Sequence, residues 1–223
     1  MSQGPRAFGW FRRLNYWLSW YVGRAFFRLY FRMAIHNAPQ PFPAGRVVLA
    51  ANHCSFLDPI LLALAVPRRV IFLVTSDMFY LPLLRPLMWL YGCIPVQEDR
   101  ANTAAVRAAL AELKDEQVVG IFPEGAISKD GRLKPGEEGV ALLIQQSKAP
   151  VIPAAVLGTF AALRREQRFP RPAKLEVKFG PVLDPVSLAD GRKRGEAREH
   201  LRDCIMREIE GRLPVEQQSE STV

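Results

Sequence analysis

The chain has 223 residues, 49% hydrophobic and 23% charged, which fits one domain with a sizeable core and excludes wholesale disorder. With 30 Lys and Arg against 22 Asp and Glu the formal charge is +8, favouring anionic partners: nucleic acid, an anionic membrane surface or phosphorylated substrates. The three cysteines are an odd number at wide spacing and the three histidines form no zinc motif, so a reducing compartment is expected, with no disulfide and no metal.

The first predicted element is "WFRRLNYWLSWYVGRAFFRLYFRMAI", residues 10–35, which holds 10 of the 22 aromatic residues. As one helix it would be about 39 Å long, enough to cross a bilayer. Its charges argue against spanning, because Arg24 and Arg28 would each cost about 2.5–3.5 kcal/mol in the hydrocarbon. A helix lying in the interface accounts for it better. Arg13, Arg24, Arg28 and Arg32 share roughly a 100° arc, and Trp10, Trp17, Trp20, Tyr21 and Tyr30 are rings that favour headgroup depth. The expectation is a monotopic anchor over residues 1–40, split at Gly23 into two shorter helices. An ordinary helix packed on the protein's own core is the alternative. No small-residue cleavage pattern suggests a signal peptide.

"HNAPQPFPAG" (36–45) is a proline-rich break. Beyond it strand-like runs at 46–51, 69–74, 93–97, 117–122 and 151–156 alternate with helix-like runs at 58–66, 76–91, 101–115 and 137–148. A late alternating strand lies in "AKLEVKFGPVL", followed by a charged helix over 193–212. Short, fully apolar strands separated by helices predict an α/β fold whose largely parallel central sheet is flanked by helices, over residues 41–213. The apolar stretch 79–96 is expected to be a buried helix leading into a strand, with a ligand wall or second membrane contact as the alternative. Residues 214–223 are polar and expected to be disordered.

Two stretches carry candidate chemistry. In "ANHCSFLDPILL" (51–62), His53 and Asp58 lie on a strand-to-helix connection. A carboxylate within reach can hold the imidazole tautomer and stabilise the imidazolium once a proton is taken. The competing reading is a core histidine beside a helix cap, since Asp58 precedes a proline at a helix start and Ser55 is a second candidate cap. Asn52 and Ser55 add polar groups to the same turn. Cys54 is expected to face the core, because neighbours in an extended segment point to opposite sides. The second stretch, "IFPEGAISKDGRLKPG" (121–136), ends a strand in Pro-Glu-Gly. Gly125 lets backbone approach a ligand, and Glu124 sits where parallel sheets place binding groups. Lys129, Arg132 and Lys134 follow in a loop suited to phosphate.

Together these stretches resemble the glycerolipid acyltransferase family that includes the 1-acylglycerol-3-phosphate acyltransferases. "NHCSFLD" matches its His-x4-Asp hallmark, "FPEG" (122–125) a second, and "VIPAAVLG" (151–158), with Pro153, a weaker third. The resemblance covers roughly 45–185 and implies His53 as general base, paired with Asp58, on a lysophospholipid hydroxyl in phospholipid biosynthesis. The hydroxyl would attack the thioester of acyl-CoA or acyl carrier protein as co-substrate, with no acyl-enzyme, metal or redox cofactor. Glu124, Gly125 and Pro153 would serve the acceptor. The pattern departs in two places: Glu98 stands where an arginine is common, and Ala126 and Ile127 follow "FPEG" in place of Thr and Arg. Arg100, Lys129, Arg132 or Lys134 would then take the phosphate, or the acceptor carries a larger headgroup. Aromatic-basic N-terminal helices embedded in one leaflet also occur in this family, which implies a membrane-associated, non-spanning protein on the cytoplasmic face. The competing classes are a non-catalytic lipid-binding protein and a nucleic-acid binder. No nucleic-acid partner is expected, because the best basic face is interleaved with Trp and no nucleic-acid motif is present.

Overall fold

The computed structural model describes residues 9–82, 85–96, 101–164, 167 and 169–219. Its strands are β1 (Ala34–His36), β2 (Val47–Ala51), β3 (Val70–Thr75), β4 (Ile94–Val96), β5 (Val118–Ile121), β6 (Val151–Leu157) and β7 (Glu176–Phe179). They form one seven-stranded sheet in the order β1-β7-β6-β2-β5-β3-β4. Every neighbouring pair is parallel except β6 and β7. Helices α1 (Trp10–Tyr30), α2 (Asp58–Ala65), α3 (Ser76–Phe79), α4 (Arg85–Tyr91), α5 (Ala101–Lys114), α6 (Glu138–Ser147), α7 (Thr159–Ala162), α8 (Pro185–Ala189) and α9 (Arg194–Glu210) connect and cover the strands.

The apolar runs become strands buried on both faces, as parallel sheets require. Alternation along β2 sends Val47, Leu49 and Ala51 into a core layer shared with α1 and α2. Val48 and Ala50 enter the opposite layer with Leu113 of α5, Leu143 and Ile144 of α6, and Leu201, Ile205 and Ile209 of α9. The chain leaves β2 through α2 toward β3 on one side, and leaves β5 through α6 toward β6 on the other. Adjacent strands whose connections diverge leave a crevice at their C-terminal ends, the usual place for a ligand in an open parallel sheet.

The N-terminal segment differs from expectation. Residues 10–30 are one uninterrupted helix, and Gly23 does not split it. A Cβ at Gly23 would lie 3.2 Å from Leu64 Cδ2, so the glycine is a close-packing point where α1 crosses α2. Tyr16, Trp20 and Phe27 of α1 are buried in the same cluster as the sheet residues, and β1 joins the sheet beside β7. Burying such side chains contributes about 1.5–3 kcal/mol each. The segment expected to be a detachable anchor is therefore part of the core.

The run 76–91 expected as one helix forms two, α3 and α4. Pro82 has no N–H to continue the first, and Pro86 lies in the first turn of the second, where a missing N–H costs nothing. Expected to be buried, α4 has no buried residue, and its Leu87 and Trp89 are exposed. Of the tail expected to be disordered, residues 214–219 are described: Leu133 N donates to Gln217 O at 2.9 Å, and Ser219 N to Glu210 at 2.9 Å. Residues 220–223 lie outside the described residues.

Candidate active site

His53 and Glu124 stand just beyond the C-terminal ends of β2 and β5, the strands that flank the crevice. His53 Nδ1 is 2.9 Å from Asp58 Oδ2, and that oxygen also accepts the backbone N–H groups of Cys54 and Ser55, both at 2.7 Å. Asp58 is fully buried, so these donors are what make its burial tolerable. Donation from Nδ1 fixes the neutral tautomer and leaves Nε2 as the basic nitrogen.

Asp58 is the first residue of α2, yet its side chain does not cap that helix; the N-cap is Leu57, without a side-chain cap bond. The carboxylate turns back onto the preceding loop, where two amides and the imidazole converge. Ser55 Oγ accepts from Leu57 N at 3.2 Å and donates to Leu163 O at 2.7 Å, bracing the turn against the segment after β6. At the far end of α2, Trp20 Nε1 donates to Ala63 O at 3.0 Å and Arg24 Nη1 to Leu64 O at 2.7 Å. Those carbonyls have no intrahelical partners, and a guanidinium is favourable at the negative end of a helix. Trp20 and Arg24, expected to face lipid, instead close the C-terminus of the helix that carries Asp58.

Asn52 has a structural part. Its carboxamide accepts from Val156 N at 2.7 Å and donates to Val156 O at 3.0 Å, extending the β2–β6 ladder as a peptide group would. Cys54 is buried, its Sγ 3.3 Å from Thr159 Oγ1, and burial pushes its thiol well above the usual range. That is the opposite of an activated nucleophile.

The second motif forms a tight turn in which Gly125 N donates to Phe122 O at 3.1 Å and Gly125 holds φ +70°. Glu124 was expected to contact an acceptor, but both its oxygens are engaged inside the protein. Oε1 accepts His53 N at 2.7 Å and Oε2 accepts Lys134 N at 3.0 Å. Ser128 N donates to His53 O at 2.7 Å, so the main chain of His53 is held from both sides by the loop after β5. Glu124 thus ties the two motif loops together. Desolvation pushes its carboxyl up to about 7, against the pull of the two N–H donors and Lys134.

A carboxyl raised in this way binds a proton in the folded chain that the unfolded chain releases nearer 4.5. The contribution of this group to stability is fullest below pH 4.5 and is lost as pH rises through the window to about 7. Relative to Glu124→Gln, the wild type is expected to lose about 2–3 kcal/mol between pH 5 and pH 8. Urea midpoints at the two pH values check this; parallel pH dependence in both proteins would refute it.

The other expected site residues are dispersed. Lys129 and Arg132 are exposed on the loop after Gly125, and Lys134 is half-buried with Nζ 3.4 Å from Ala126 O. Pro153 was expected to serve the acceptor. It is buried within β6, its carbonyl accepting Gly180 N at 2.7 Å and its ring filling the space that a Cβ on Gly180 would need. In the structure it packs within the sheet. Arg100 and Glu98 lie outside the described residues. Arg32 follows α1 in a left-handed conformation (φ 48°), off the arc it was expected to share, and Trp17 is half-buried. Trp10, Arg13 and Arg28 are exposed. Phe122, the first residue of the "FPEG" motif, stacks directly on the His53 ring. No sequence signal connects residues 53 and 122, because their meeting depends on strand order.

The family model described as Acyltransferase matches residues 32–157, more than half of the chain. The chain is 31% identical over 147 residues to a 1-acyl-sn-glycerol-3-phosphate acyltransferase of Cocos nucifera, covering 63% of this chain and 47% of that protein. It is 28% identical over 170 residues to a 1-acyl-sn-glycerol-3-phosphate acyltransferase of Bacillus subtilis, covering 74% and 82%. The chain thus spans about half the length of the Cocos nucifera and Limnanthes douglasii relatives it matches. In fold it is similar to the crystal structure of the 1-acyl-sn-glycerophosphate acyltransferase of Thermotoga maritima, with TM-score 0.71 and 20% identity over 90% of this chain and 82% of that one.

Proposed function

The chain belongs to the acyltransferase family, and from that premise we propose that it transfers a fatty acyl group from a thioester donor to a lysophospholipid hydroxyl. The observation that carries the reading is the His53–Asp58 pair, set beside the "FPEG" turn in the crevice between β2 and β5. His53 Nε2 takes the proton of the acceptor hydroxyl as its oxygen bonds to the thioester carbonyl carbon. The tetrahedral intermediate expels the thiolate of CoA or acyl carrier protein, which recovers the proton from the imidazolium. Asp58 stabilises that imidazolium, and Glu124 positions the histidine through its main chain. No acyl-enzyme is needed, in keeping with the inert environment of Cys54.

The names of the relatives support 1-acylglycerol-3-phosphate as acceptor. Lys129, Arg132 and Lys134 on the loop after Gly125 are its phosphate-binding candidates, together with Arg100. Ala126 and Ile127 supply no charge at the two positions after "FPEG", which favours testing lysophospholipids with larger headgroups beside it. The purified protein, given palmitoyl-CoA or palmitoyl-acyl carrier protein and 1-oleoyl-sn-glycerol-3-phosphate, is expected to form the diacyl product. Transfer to 1-oleoylglycerophosphocholine alone would select the second acceptor class, and transfer to neither would refute the reading.

The reaction site belongs at a membrane surface. Phe11, Leu14, Leu18, Tyr21, Val22 and Leu29 lie within about 100° of one another on α1 and are all exposed, on the side opposite buried Tyr16, Trp20 and Phe27. Exposed Arg28 borders this arc, and Arg12 stacks 4.2 Å over the ring of exposed Trp89 on α4. A contiguous apolar face edged by arginine suits partial burial in an anionic leaflet. Among the described residues no helix is long and apolar enough to cross a membrane. Leu18→Asp with Leu29→Asp is expected to lower binding to phosphatidylglycerol vesicles at least about tenfold, with the fold kept. Undiminished co-sedimentation would remove this face from the membrane contact. Deleting residues 1–35 would be a poor test, since it also removes core residues.

A further inference from the structure

Resting on the reading of His53 as general base, we propose that Phe122 is a positioning residue that sets the plane of the imidazole and favours its protonated form, and that Phe72 holds Phe122 in place. The His53 and Phe122 ring centroids are 3.9 Å apart with planes 13° from parallel. Phe122 in turn stacks on Phe72 at 5.7 Å, again at 13°. Sheet register builds this column. Phe72 on β3 is the partner of Gly120 on β5, and residues 120 and 122 share one face of the strand. A Cβ on Gly120 would stand 2.2 Å from the Phe72 ring, so only glycine lets Phe72 lie across that position and back Phe122. Phe72 is buried and Phe122 half-buried, leaving the column little room to shift.

Asp58 alone does not orient the base. One hydrogen bond to Nδ1 fixes the tautomer and a point in the ring plane, but permits tilting about it. A phenyl face at 3.9 Å blocks the tilt and fixes the direction of Nε2. The same face attracts a cation, so it favours the imidazolium formed once the acceptor proton is taken. Among the described residues, the ionisable groups hydrogen-bonded to His53 are Asp58 on Nδ1 and Glu124 on its backbone N–H.

The test uses the full chain with palmitoyl-CoA and 1-oleoyl-sn-glycerol-3-phosphate. Phe122→Leu is expected to lower kcat about tenfold with KM within about twofold, and to move the acid limb of the kcat–pH profile down by about half a pH unit. Phe122→Tyr is expected to restore both. Pentafluorophenylalanine at position 122 keeps the shape but reverses the ring quadrupole; it is expected to move the acid limb without loss of thermal stability, which separates charge stabilisation from packing. Phe72→Leu is expected to reproduce the loss of kcat at smaller size. A wild-type kcat and pH profile in Phe122→Leu, with His53→Ala inactive, overturns the proposal and leaves the general base standing. A kcat within tenfold of wild type in His53→Ala overturns the general base itself.

Discussion

His53→Ala is expected to lower kcat by about 10²–10⁴-fold, the range that a positioned general base supplies. The variant is interpretable because, among the described residues, the side chain's bonding is confined to Asp58 and the Phe122 stack. After truncation Asp58 Oδ2 still accepts from Cys54 N and Ser55 N, Glu124 still accepts the residue's backbone N–H, and Ser128 N still donates to its carbonyl. The loop therefore keeps its main-chain anchors, and a melting temperature within a few degrees of wild type is expected. Residual transfer would come from holding donor and acceptor together. A kcat within tenfold of wild type, at equal folded content, would remove His53 from the proton transfer.

Asp58 gives the second large effect, and two substitutions separate its two roles. Asparagine can keep an oxygen at the position that accepts three donors. It places its amide nitrogen where Oδ1 now lies, an atom with no hydrogen-bond partner among the described residues. Asp58→Asn should therefore fold, but it cannot stabilise the imidazolium with a full negative charge. At this separation the loss is worth about 3–4 kcal/mol, or about 10²–10³-fold in kcat. Asp58→Ala instead leaves two buried amides and the imidazole without their acceptor, and is expected to cost about 3–5 kcal/mol of stability. Chemical denaturation beside kcat reads both. Equal destabilisation by the two substitutions, or wild-type turnover in Asp58→Asn, would contradict this division.

The exposed apolar arc of α1 and the dyad are linked through one helix contact. The face of α1 opposite its apolar arc supplies Trp20 and Arg24 to the last carbonyls of α2, and α2 begins with Asp58. The reading of α1 from sequence was right about its amphipathic character and incomplete about its faces. Arginine and tryptophan suit both a headgroup layer and a helix C-terminus, and only the partner decides between them. Trp20 and Arg24 found carbonyls, whereas Trp10, Arg13 and Arg28 remained exposed.

Much of the architecture was legible locally. β2, β5 and β6 are fully apolar runs, and α5, α6 and α9 carry helical periodicity, so each was found within a residue or two of its boundaries. The short edge strand β1 was missed because three residues carry too little periodicity, and Pro82 and Pro86 divided a helix that its apolar content had joined. The His53–Asp58 pair was legible too, since a separation of five residues across one turn is local geometry.

By itself the sequence determined the α/β class, the dyad, its resemblance to a glycerolipid acyltransferase, and an amphipathic first helix, because periodicity, turn chemistry and short spacings are properties of neighbouring residues. Only the tertiary structure decided that Glu124 grips the backbone of His53, that Phe122 lies on its ring, that Pro153 belongs to the sheet, and which face of α1 is free. Three of those outcomes depend on β2 lying beside β5 and on α1 crossing α2, and the Pro153 outcome on β6 lying beside β7. Such pairings join residues tens of positions apart and are settled by burial of the whole core, which no local pattern of residue types contains.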